Sequence, residues 1–141
     1  MKLRKLWCVG FLIIVLEGSV GCGSGGGLVP VHGRVTLDDK PIAGVYVVFS
    51  PVETKVNDPV QYRGVSDEEG HYELRRAEDD RIGAGSGEYI VTLTTAVPKP
   101  ADNETTPLPP ERVPRKYRDG TLRFTVPEGG TNEANFEMKI R

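Results

Sequence analysis

The sequence predicts an all-β domain: two antiparallel sheets packed as a seven-stranded sandwich. Three observations lead there. Apolar and polar residues alternate in short runs, the period of a half-buried strand. Turn-forming residues separate those runs, with Gly (17) and Pro (11) making up about a fifth of the 141 residues. Beyond the N-terminal segment, no stretch carries a helical period over ten residues.

The first strand covers 31–37, with Val31, Gly33, Val35 and Leu37 on one face and His32, Arg34 and Thr36 on the other. Asp38-Asp39-Lys40-Pro41 is turn chemistry. Val45, Val47 and Phe49 alternate with Tyr46, Val48 and Ser50, so the second strand is apolar on both faces and reads as central. Segments 61–66 and 71–75 form the next two, joined by Asp67-Glu68-Glu69-Gly70 in a hairpin turn whose Gly supplies a positive φ; Tyr72 and Leu74 point inward.

A connection (77–87) leads to the fifth strand, with Tyr89, Val91 and Leu93 facing in. Residues 98–114 hold six prolines, which lack the donors a central strand needs, so an outer loop is expected. Leu122, Phe124 and Val126 define the sixth strand; Ala134, Phe136, Met138 and Ile140 define the seventh after the turn at Pro127–Gly130.

The N-terminus belongs to a different argument. Lys2, Arg4 and Lys5 precede an apolar run of eleven residues, Leu6 to Leu16. As a helix it would measure roughly 16 Å, about half a ~30 Å hydrocarbon core, which suits a signal-peptide h-region and not a span. Gly18, Ser19 and Gly21 follow, then Cys22.

Ser19-Val20-Gly21-Cys22 resembles the bacterial lipobox, in which cleavage leaves the Cys as a new N-terminus carrying lipid. The resemblance implies a signal peptide over 1–21, a lipidated Cys22 with a Gly/Ser tether over 22–28, and a folded domain over 29–141. Ordinary signal-peptidase cleavage or an uncleaved tether are the other outcomes. Two or more acyl chains hold a protein stably, each buried CH₂ adding about 0.8 kcal/mol. Gly23 follows the Cys in place of the Asp that retains some lipoproteins in the inner membrane, which favours the outer membrane.

Without Lys2, Arg4, Lys5 and Glu17, 15 basic and 19 acidic residues remain, a net charge of −4. No basic footprint for nucleic acid exists. Of the two cysteines, Cys8 lies in the signal segment and Cys22 is the lipid site, so the domain holds no thiol nucleophile or ligand.

Three segments resemble the carboxypeptidase regulatory-like, or transthyretin-like, β-sandwich domain of small bacterial lipoproteins: Val31–Leu37 with Asp39–Phe49, Gly64–Leu74, and Gly85–Leu93. The resemblance implies a Greek-key, Ig-like sandwich used as an accessory module without catalysis.

Candidate chemistry is sparse. His32 and His71, the only histidines, fall on outward faces with no Cys beside them, so no metal site is expected. Asp67-Glu68-Glu69 and Glu78-Asp79-Asp80 lack the alternate-position spacing of a calcium loop. Tyr117-Arg118-Asp119 is similar to the Tyr-Arg-Gly-Ser ending of hydroxyisourate hydrolases, but it is internal and has Asp119 in the Gly place. Ser86 lacks the G-x-S-x-G frame. Lys40 and Asn135 do not suit an isopeptide, the first lying in a turn and the second facing outward.

The expectation is therefore an envelope lipoprotein with a structural or interaction role, no enzyme and no cofactor. Its partners would be the membrane through Cys22 and an envelope protein or glycan. Contacts are expected at the edge strands and at loops 57–62 and 98–114. The alternative is a carbohydrate- or peptide-binding module using Tyr46, Tyr62 or Tyr117.

Overall fold

A computed structural model describes residues 27–53, 60–97 and 107–141. Nine strands form: β1 (His32–Leu37), β2 (Lys40–Pro41), β3 (Tyr46–Pro51), β4 (Tyr62–Val65), β5 (His71–Glu73), β6 (Arg75–Arg76), β7 (Gly87–Thr94), β8 (Leu122–Val126) and β9 (Phe136–Met138). Each of the seven expected segments contains a strand; the two additional ones are two-residue pairings. Among the described residues there is one 3-10 turn, Arg115–Tyr117, and no helix long and apolar enough to cross a membrane.

The strands form two sheets. In the five-stranded sheet the order is β6-β4-β3-β7-β8, so β3 is central, as its two apolar faces predict. In the four-stranded sheet β1 is central, with β2 and β5 on one side and β9 on the other. One buried cluster draws on both sheets, and Val35, Val47, Phe49, Leu74, Val91, Leu93 and Met138 are fully enclosed within it. Phe49 lies edge-on to Phe124 and Phe136, at 5.6 and 6.1 Å between ring centres, which joins the two sheets through aromatic contacts.

Three expectations need correction. The first concerns the Asp67–Gly70 turn. It closes as predicted: the Gly70 amide donates to the Asp67 carbonyl (2.9 Å), and Gly70 adopts φ +80°. The strands on either side are not a hairpin, however. β4 pairs with β3 and β6, whereas β5 pairs with β1 (Gly33↔Tyr72). The neighbours of β4 are already taken on both sides, so the turn carries the chain from one sheet to the other.

The second concerns the antiparallel rule. β9 runs parallel to β1, with Val35 opposite Phe136. After β8 the chain crosses between sheets beside the start of β1, where the Thr131 amide donates to the Pro30 carbonyl (2.9 Å). β9 therefore enters at the end where β1 enters, and the two must run the same way.

The third is Ile140, expected inward and in fact 66% exposed. β1 turns away at Asp38 and Asp39, both at positive φ in a two-residue turn that pairs Leu37 with Lys40. Among the described residues the chain past Met138 finds no backbone partner. Instead the Ile140 amide donates to the Asp38 carboxylate (3.3 Å).

Candidate functional site

The pairing of β1 with β9 contains an irregularity that shapes the outer surface. Val31 lies opposite Thr131 and Val35 opposite Phe136, so four steps along β1 face five along its partner. One extra residue makes a bulge. Within it the Ala134 amide donates to the His32 carbonyl (3.1 Å), and the Asn135 side-chain carbonyl accepts the Arg34 amide (2.9 Å). A side chain thus replaces the backbone acceptor that the bulge removes.

Next to this bulge lies an open recess of ≈ 630 Å³ on the outer face of the four-stranded sheet. His32 and Arg34 reach it from β1, His71 and Glu73 from β5, and Asn132 and Asn135 from the bulge. The register explains the grouping: His32 is opposite Glu73, and Arg34 is opposite His71. Both histidines of the chain therefore share one surface hollow, as diagonal cross-strand neighbours.

Most charges at this hollow already have partners. The Glu73 carboxylate meets Arg75 at 3.0 Å and His32 at 3.8 Å. The Asp67 carboxylate accepts the amides of Glu69 (3.0 Å) and His71 (2.8 Å), which fixes the turn. The Arg34 guanidinium donates to the Glu69 carbonyl (3.0 Å). Among the described residues no three His, Cys, Asp or Glu side chains converge as metal ligands would. The surface offers polar contacts side by side on one face of the sheet.

A second feature lies at the end of β7 in the five-stranded sheet. Glu111 lies in the proline-rich segment, and its carboxylate accepts the hydroxyls of Thr94 (2.5 Å) and Thr95 (3.0 Å) and the amides of Thr95 (3.1 Å) and Val113 (2.8 Å). Burial pushes this carboxyl upward, but those hydrogen bonds to the charged form outweigh it and hold it at about 2. Beside the clamp, Tyr46, Val65, Val97, Pro109 and Arg112 line a smaller cleft of ≈ 280 Å³.

The remaining candidates separate. Tyr62 is buried, 7% exposed and edge-on to Tyr89, so it is no surface aromatic. Tyr46 faces the cleft, whereas the Tyr117 hydroxyl sits against β9, accepting the Lys139 amide (3.0 Å). Asp79 is held by Arg76 and Asp80 by Arg75, so salt bridges tie β6 to the turn that follows it. Arg76 lowers the Asp79 carboxyl to about 2. Ser86 lines a surface hollow with Pro51, Glu53 and Tyr89. Lys40 is opposite Leu37, and Asn135 is engaged with Arg34 further back along β1.

Cys22, the signal segment, most of the tether, residues 57–59 and residues 98–106 lie outside the described residues. The chain matches no protein-family model, no curated protein and no solved structure.

Proposed function

We propose that this is an exported envelope lipoprotein, anchored by lipid on Cys22, whose domain has a non-catalytic structural or interaction role. The observation that carries this reading is the N-terminal order of residues: a basic start, eleven apolar residues, Gly21-Cys22, then a Gly/Ser run. Val29 follows Cys22 by seven residues and is where the fold takes hold, exchanging hydrogen bonds with Ala84 (2.8 and 3.0 Å). An extended tether of that length spans at most about 25 Å, so the domain stands close above its membrane, with the outer membrane favoured.

Two sheets around one core, joined by crossings between them, support a Greek-key sandwich of the transthyretin-like, carboxypeptidase regulatory-like kind. In this reading the domain acts as a spacer or contact module.

The test is incorporation of labelled palmitate by the producing cells. Wild type should take up label, and Cys22→Ala should take up none. Label-free wild type would remove the anchor.

A second reading, a binding module for peptide or glycan, draws on the cleft beside Tyr46 and Arg112. A glycan and peptide array probed with the chain tests it, and loss of a hit on Arg112→Ala would assign that hit to the cleft.

A further inference from the structure

The edges of the two sheets are not treated alike. β6 is covered where Arg75 pairs with Ile82 and where the Arg76 amide donates to the Arg81 carbonyl (2.8 Å). The edge of β9 is occupied by Tyr117, whose hydroxyl accepts the Lys139 amide and donates to the Glu137 carbonyl (3.5 Å). Among the described residues β8 pairs with β7 alone.

Which backbone groups of β8 point outward follows from the register. The Val52 amide donates to the Glu88 carbonyl, so Glu88 and Ile90 direct their backbone toward β3. Tyr89, Val91 and Gly87 then bond to β8 through Phe124, Leu122 and Val126. Arg123 and Thr125 are left with amides and carbonyls facing away, and none of these groups has a hydrogen-bond partner among the described residues.

We propose that β8 docks a second copy of this chain, paired antiparallel about a two-fold axis through Phe124. The strand suits itself as a partner. In that register Arg123 faces Thr125 of the other copy, which gives four backbone hydrogen bonds and no like charges opposite one another. Leu122 faces Val126, and the two Phe124 rings meet. Leu122 and Phe124 are core-facing residues that remain partly exposed because the sheet stops at β8, so an added strand finishes covering them.

The ends of the strand fit the same register. Thr121 would face Pro127, where pairing must stop: the Thr121 amide is already taken by Asp119 (3.1 Å), and proline has no donor. An open strand edge is a template for pairing, and an isologous contact closes it in both copies at once.

Two measurements on the full chain test the proposal. Sedimentation of the detergent-solubilised chain over a roughly hundredfold concentration series should show a shift from one-chain to two-chain mass. Thr125→Pro, which removes an outward donor without touching the ladder to β7, should raise the dissociation constant at least about tenfold, or 1.4 kcal/mol. In the purified chain under mild oxidation, Phe124→Cys should yield a disulfide-linked dimer whose linked peptides both contain position 124, with no such species from wild type. A single-chain mass throughout, or a dimer indifferent to Thr125→Pro, would overturn the proposal. Should Thr125→Pro lose its β spectrum, the link at position 124 decides, and its absence counts against β8. These readouts do not depend on lipid at Cys22, which palmitate labelling reports separately.

Discussion

The Tyr72 hydroxyl donates a 2.5 Å hydrogen bond to the carbonyl of Ala134, a contact between β5 and the bulge before β9 that passes behind β1. Both residues are buried, and the bond is one of the few side-chain hydrogen bonds made within the core. Burial pushes the phenol above its ordinary range, so it stays a donor throughout the accessible pH range.

Tyr72→Phe should therefore destabilise the domain by roughly 1–3 kcal/mol, because the Ala134 carbonyl keeps its burial and loses its partner. Urea denaturation measures this as a lower midpoint with an unchanged slope.

Ser66 makes a similar case at the other end of the core. Its hydroxyl accepts the Val45 amide (2.9 Å) and donates to the Ile42 carbonyl (2.7 Å), with the residue 4% exposed. Ser66→Ala leaves two backbone groups unmatched, and a thermal melt should show a loss of roughly 1–3 kcal/mol. Ser50→Ala, on the outer face, should change stability by less than about 0.5 kcal/mol.

Glu111 gives a pH-dependent signature. Its folded value of about 2 lies below the ordinary 4.5, so ionisation favours the fold. That stability is fully present above pH 4.5 and is lost as the pH falls toward 2. Glu111→Gln should be less stable than wild type by roughly 1.5–3 kcal/mol at pH 7, a gap that narrows between pH 4.5 and 2. A gap independent of pH would show that packing, and not charge, makes the clamp.

Gly33 is a matter of clearance. A Cβ there would lie 1.9 Å from the Ala134 carbonyl oxygen. Gly33→Ala must push the bulge away from β1 and should cost at least about 1–3 kcal/mol by denaturant titration. It should also disturb the backbone resonances of His32 and Asn135, which share the recess.

Much of this fold can be read locally. Alternation at Val45–Phe49 and Tyr89–Leu93 places buried residues correctly, because a period of two leaves one face for the core. Pairing cannot be read that way. The residues around Gly70 specify a tight turn whichever sheets its two arms join, and nothing near Phe136 shows that β9 runs parallel to β1. The recess was illegible for the same reason: His32 and His71 are each ordinary outward residues, and only the register of β1 with β5 sets them side by side. Glu111 gave little local signal either, since only the Val113 amide is near it in sequence and its other donors come from Thr94 and Thr95.

The central place of β1 also has a mechanical side. Any tug on the N-terminus enters at Val29 and runs along β1, which is held by β5 on one flank and β9 on the other. Such a load slides the strand past both neighbours at once, so its hydrogen bonds must fail together and cannot be peeled off singly. Under such a load, resistance to stretching is set by the rate of that concerted rupture.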